Sequence, residues 1–435
     1  MGAPGPGRSV SSGARCSAPG FLRTGGSVLL ALCLVSVRVL ADVGLPEKSP
    51  ESVGFSASRL ERVPAMLTRE VAASHYSGAV WLIARDGSVV SHGAIGWSDV
   101  PGRVAMDEDT VFRIFSMTKI MTAVTVLTLV EEGRINLDDP VERFLPELAK
   151  RQVLTGGTAD APKLEAAAGP ITIRELLTHT SGLTYEFFEA EPLKTIWSRS
   201  GMWHSASLRE FVGKVAALPL ASQPGARWTY GVNMDVLGAV IEVVTGQDLE
   251  TAMRQRVMIP LGMNHTTFRL SADVRAHLAT IYHRTPAGAL EKDAFWTDLG
   301  TVAFPSGGGG LFSTLHDCAR FGQMLLNGGE LGGRRVLGRK TVEMMTSNQI
   351  AHLAAPPGAW MPAGFGFGVR VRPADAHTAG TLGSPGEFGW EGSACTYISM
   401  DPGEKMLLIV LLQHVPYDED GILEKFADTA YQALK

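Results

Sequence analysis

The chain has 435 residues, 45% of them hydrophobic and only 19% charged, a balance that excludes wholesale disorder or coiled coil and suits one large domain or two ordinary ones. Lysine and arginine total 39 against 44 acidic residues, for a net charge of −5, so the composition offers no basic face for nucleic acid.

Residues 1–41 hold Arg8, Arg15, Arg23 and Arg38 and no acidic residue. With an apolar run from Ser27 to Val37 and the small exit Val39-Leu40-Ala41, they predict a secretory signal peptide cut after Ala41. The expected mature chain, 42–435, is then periplasmic or secreted. The apolar run is too short to span a bilayer, and no later stretch reaches the ~18 residues of a spanning helix, so no stable membrane insertion is expected after cleavage. Cys16 and Cys33 fall in the leader. Cys318 and Cys395 could pair in an oxidising compartment, but they lack framework spacing and read better as small buried hydrophobes. The histidines show no zinc spacing and no H-E-x-x-H, so no metal or other cofactor is expected.

Past the leader, Leu60, Val63, Met66, Leu67 and Val71 recur at helical spacing and predict a helix over 57–73. From Ser77 to Ser98 small and β-branched residues alternate around Asp86-Gly87, the strongest short hairpin signal. The pattern then turns helical: 116–132 stopping at Gly133, 172–177 stopping before Thr180-Ser181-Gly182, and 234–244 stopping at Gly246. Thr155 to Pro170 reads as a surface loop. After the Gly307–Gly310 run and a helix over 314–326, strands are expected at 365–371, 394–400 and 405–413, with Pro402-Gly403 turning between the last two, and a closing helix over 422–434. The whole predicts an α+β fold, an antiparallel sheet flanked by helices and assembled from both ends of the chain (about 42–115 and 300–435), with a helical insert at about 116–299 forming part of a single catalytic domain.

Phe115-Ser116-Met117-Thr118-Lys119 opens the second of these helices, and a serine and lysine three residues apart share one helix face. A hydroxyl becomes a useful nucleophile when a neighbouring group can take its proton, and the helix N-terminus adds positive potential and N–H donors for an oxyanion. S-x-x-K alone is weak, but more follows in order: Leu176-Leu-Thr-His-Thr-Ser-Gly-Leu183, Trp228-Thr-Tyr230-Gly-Val-Asn233, Gly307-Gly-Gly-Gly-Leu-Phe-Ser313 and Phe388-Gly-Trp390-Glu-Gly392-Ser393. From Glu47 to the C-terminus this ordered set resembles the serine β-lactamase and penicillin-binding-protein superfamily, nearest to the class C β-lactamases and the bacterial family VIII carboxylesterases and transesterases.

The resemblance implies Ser116 as nucleophile, Lys119 as its proton partner and Tyr230 as the relay between serine, leaving group and water. It also implies an oxyanion hole from the backbone N–H groups of Ser116 and Ser393, with Gly392 letting the strand approach and Trp390 walling the acyl pocket. Two departures stand out. Val232 occupies the lactamase asparagine position, and Asn233, one later, reads as the N-cap of the next helix. Trp390 stands where lactamases carry a lysine or histidine, so the site lacks a cation for the carboxylate of penicillins and cephalosporins; Glu391, if it faces the pocket, pushes the same way. The expected activity is therefore hydrolysis of a small neutral ester through an acyl-enzyme. A β-lactamase or D-alanyl-D-alanine peptidase on the same residues is the enzymatic alternative, and a sensor or binding protein without turnover is the alternative of another class. His179 is left out as a helix-ending structural residue, and no G-x-S-x-G elbow is present.

Overall fold

The computed structural model describes residues 44–297, 303–354, 361–374 and 382–435, with Gly2. The leader expectation lies outside the described residues. Asp86 and Gly87 sit at φ 50° and 72°, the double positive φ that a two-residue hairpin turn requires, and they join β1 (Gly78–Arg85) to β2 (Ser88–Asp99). A short β3 (Val104–Ala105) follows on the edge. The chain leaves the sheet for more than half its length and returns as β4 (Arg370–Val371), β5 (Phe388–Gly392), β6 (Thr396–Asp401) and β7 (Met406–Leu411). The seven strands are ordered β4-β5-β6-β7-β1-β2-β3, and every neighbouring pair is antiparallel. The β1–β7 ladder, with Val80 opposite Leu411, joins the two ends of the chain in mid-sheet.

Alternation along the strands divides the core. Trp81, Ile83, Tyr397, Leu408 and Val410 pack on one face with α1 (Arg62–Ala72) and α6 (Ile422–Tyr431). Val80, Leu82, Ile398, Leu407 and Ile409 face the other way, toward a larger core that holds α2 (Thr118–Glu131), α3 (Leu208–Ala216), α4 (Asn233–Thr245) and α5 (Leu315–Leu326). Each aliphatic side chain buried there contributes about 1.5–3 kcal/mol. Helix α2 is buried from Thr118 to Leu129 on every side; that envelopment carries Lys119 into the interior. Among the described residues no helix is long and apolar enough to cross a membrane.

Several expectations need correction. Thr155 to Pro170 is not a plain loop: Gln152–Gly157 and Pro162–Ala166 pair as an exposed hairpin, anchored where Leu154 N–H bonds the Leu220 carbonyl and Val153 is buried. Only Arg370–Val371 of the expected 365–371 strand joins the sheet, because Gly368 turns at φ 72° and the Phe367 N–H bonds the Met345 carbonyl instead. Ala394 and Cys395 belong to the turn after β5, Cys395 at φ 60°. Cys318 and Cys395 are both free. They lie in the cores on opposite faces of the sheet and cannot meet, and burial pushes each thiol up to about 12.

Candidate active site

Phe112–Arg113 pairs with Phe312–Ser313 and delivers the chain to a tight turn over Phe115–Met117, from which α2 starts. Phe115 is held at φ 42°, a strained backbone for an aromatic residue that only a firmly fixed surround maintains. Ser116 follows it, partly exposed. One turn on, Lys119 is 1% exposed and points its Nζ back to Ser116 Oγ at 3.1 Å, while donating to the Gly308 carbonyl at 2.6 Å. That carbonyl is held in turn: Gly308 N–H donates to Asp235 Oδ1 at 3.1 Å, and Ser306 Oγ donates to the same oxygen at 2.5 Å. A Cβ on Gly308 would collide with Asp235 Oδ2; only glycine lets the buried carboxylate approach so closely. Burial raises the Asp235 carboxyl above its ordinary value, and the Lys119 charge is among the groups that oppose the rise.

Tyr230 lies beside this pair, with Lys119 Nζ 4.6 Å from its ring centroid. Its phenol oxygen accepts a hydrogen bond from Trp390 Nε1 at 3.1 Å. Trp390 is 3% exposed and also packs edge-on to Phe365 at 5.3 Å. The indole thus makes a contact not expected of it: the position that carries a cation in lactamases here supplies a neutral donor to the tyrosine. His179 fixes the tyrosine from the other side. Its carbonyl accepts from Thr229 N–H at 2.7 Å, its Nδ1 accepts from Gly231 N–H at 3.4 Å and from Asn233 Nδ2 at 2.8 Å, and its ring lies 4.8 Å from that of Tyr230. Burial first, and the Lys119 charge second, hold the imidazole well below its ordinary value, so it is neutral. Asn233 is not the cap predicted for it. It is the first residue of α4 and makes no capping bond; its amide bridges His179 and Ser181 instead.

Gly392 ends β5 against the turn before the serine, where a Cβ would fall 2.5 Å from the Ile114 carbonyl, and Thr396 Oγ1 donates to that carbonyl at 3.2 Å. Ser393, partly exposed, is the next residue and begins the turn into β6. Glu391 does not join the tyrosine side. It pairs across the strand with Tyr397, whose face is the α1–α6 core, whereas Trp390 pairs with Ile398 on the opposite face. Its carboxylate meets Arg370 Nη2 at 3.4 Å. The structure thus brings Ser116, Lys119, Tyr230 and Trp390 together and sets Gly392 and Ser393 at the adjoining strand end.

The β-lactamase family model matches residues 63–432. The chain belongs to the β-lactamase family. Protein Rv1367c of Mycobacterium tuberculosis is 35% identical over 350 residues, 78% of this chain and 86% of its own length. Esterase EstB of Burkholderia gladioli is 33% identical over 287 residues, 61% of this chain and 69% of its own. The solved structure of EstCE1, a hydrolase with promiscuous acyltransferase activity, superposes with a TM-score of 0.73 at 28% identity, covering 86% of this chain and 99% of that one. This β-lactamase-family member therefore stands in a serine hydrolase superfamily that includes esterases and acyltransferases. Sequence reasoning missed its Asp235–Gly308 brace, and it read His179 as a structural residue ending a helix without its contacts to Gly231 and Asn233. The glycine run was the one available signal for the brace, since close backbone approach is a standing reason for consecutive glycines.

Proposed function

We propose that this β-lactamase-family protein is a serine carboxylesterase that hydrolyses small neutral esters through an acyl-enzyme. The observation that carries the reading is the Lys119 Nζ to Ser116 Oγ contact of 3.1 Å, a nucleophile and proton partner within reach in the resting enzyme. Ser116 Oγ attacks the ester carbonyl and its proton passes through Lys119 and Tyr230 to the departing alcohol. N–H groups of Ser116 and Ser393 hold the oxyanion, a contribution of about 3–4 kcal/mol per donor in comparable sites. Water oriented by Tyr230 then releases the acid and restores the serine.

Esters lead over β-lactams because Trp390 gives its donor to Tyr230 Oη and offers no cation to a substrate carboxylate; a charge-assisted hydrogen bond of about 1.5–3 kcal/mol is missing for that class. Initial rates on nitrophenyl butyrate and on a chromogenic cephalosporin test this. The expected result is a higher kcat/KM on the ester, and the reverse ranking would sink the assignment. The leader composition supports export before the enzyme acts, and mature protein recovered with Asp42 as its first residue is the expected result of N-terminal sequencing.

A further inference from the structure

Two aromatic side chains beside the catalytic tyrosine are left largely in water. Phe187 is 60% and Phe188 58% exposed, and their rings touch, with centroids 4.7 Å apart. Phe187 stacks on Tyr185 at 5.0 Å and 12°, and Phe188 meets the Tyr230 ring edge-on at 5.8 Å. Tyr185 in turn lies 5.4 Å from Lys119 Nζ. An unbroken aromatic strip thus runs from the lysine and tyrosine out to solvent. A lone exposed phenylalanine needs no explanation, but a contiguous apolar patch against a reactive site marks a ligand contact.

The turn bearing the pair is pinned on both sides. Glu186 accepts from Trp203 Nε1 at 3.0 Å, and Glu189 accepts from Thr184 Oγ1 at 2.7 Å. The strip is a built surface, and the flanking carboxylates disfavour an anionic occupant.

We infer that Phe187 and Phe188 form the alcohol subsite, taking aryl or other bulky apolar alcohols both as leaving groups and as acyl acceptors. The inference rests on the acyl-enzyme reading above. In acylation the bond from Ser116 Oγ to the acyl carbon forms, the bond from that carbon to the alcohol oxygen breaks, and the serine proton ends on the departing alcohol. In transfer an incoming alcohol yields its proton through Tyr230, its oxygen bonds the acyl carbon, the Ser116 ester bond breaks, and Oγ regains a proton. In both directions the alcohol oxygen must meet Tyr230 Oη, so its substituent starts at the tyrosine and extends over Phe188 to Phe187.

Vinyl butyrate charges Ser116 through a small leaving group, so partition of the butyryl-enzyme among water, benzyl alcohol and methanol reads the subsite alone. The wild type is expected to form benzyl butyrate over methyl butyrate by about tenfold per mole of alcohol, in the range one apolar pocket contact supplies. The Phe187→Ala, Phe188→Ala double variant should bring that ratio near one, and Phe188→Tyr, which keeps the ring, should retain it. Phe295→Ala, at an exposed aromatic near Trp296 rather than Tyr230, should also retain the wild-type ratio. Labelling by a fluorophosphonate confirms that each variant is folded. No benzyl preference in the wild type, an unchanged ratio in the double variant, or loss of the ratio in Phe295→Ala would each overturn the subsite. Vinyl butyrate turnover retained by Ser116→Ala would instead strike the acyl-enzyme reading itself.

Discussion

Replacing Trp390 with phenylalanine keeps an aromatic ring against Phe365 and Tyr230 but deletes the indole N–H that bonds Tyr230 Oη at 3.1 Å. While the phenol is neutral, that bond is worth about 0.5–1.5 kcal/mol net; once the oxygen gains negative charge as it hands on its proton, a bond to it is worth about 1.5–3 kcal/mol. The difference, about 1–2 kcal/mol, is realised in the transition state and absent from the bound ester, so it belongs to kcat. At 1.36 kcal/mol per factor of ten, Trp390→Phe should lower kcat by about 5- to 30-fold with KM little moved. The smaller ring also leaves a gap in a buried site, expected to cost about 1–2 kcal/mol of stability, so thermal unfolding should accompany steady-state kinetics on nitrophenyl butyrate. A folded variant whose kcat stays within about twofold of wild type would refute the claim that the indole supports charge on Tyr230.

Asp235→Ala removes the acceptor shared by Gly308 N–H and Ser306 Oγ, leaving two buried donors at about 1–3 kcal/mol each and releasing the carbonyl that holds Lys119; labelling of Ser116 by a fluorophosphonate should slow sharply, whereas Asp235→Asn, which keeps an acceptor, should retain most of the rate. Gly392→Ala would press a Cβ to 2.5 Å from the Ile114 carbonyl and displace the proposed oxyanion donors, for a loss in kcat on the order of 100-fold. His179, neutral in the fold and ordinarily titrating near 6.5, predicts a pH effect. Below 6.5 the unfolded chain takes up a proton that the buried ring refuses, so the stability this group contributes is full above that pH and is lost as pH falls, by up to about 1.4 kcal/mol per unit. His414, also lowered by burial, acts with the same sign. Urea midpoints at neutral and mildly acidic pH should show a smaller acid loss for His179→Gln than for wild type.

The sheet was readable where chemistry is local. Asp86-Gly87 announces its hairpin because both residues tolerate positive φ, and Ser116 and Lys119 announce theirs because helical spacing alone brings them together. What escaped depends on contacts distant in sequence. The brace on Lys119 unites residues 119, 235 and 308, and the pinning of Tyr230 unites 179, 230 and 233; no local pattern encodes such meetings. Trp390 could be placed in the site but not given its partner, since an indole reads equally as a wall or a donor until the tyrosine oxygen is located. Glu391 was decidable in principle. Neighbours in a strand point to opposite faces, so placing Trp390 at the pocket already turned Glu391 away. The hairpin at 152–166 was hidden by its small and charged residues, because its support comes from Leu220 rather than from its own composition.

The central claim is covalent catalysis at Ser116, and mass spectrometry of enzyme quenched during turnover of nitrophenyl butyrate, first intact and then after proteolysis, measures it directly. The account predicts a butyryl adduct confined to the peptide containing Ser116, absent from Ser116→Ala, together with loss of nitrophenol release in that variant. An adduct on another residue, or nitrophenol release by Ser116→Ala at the wild-type rate, would contradict it.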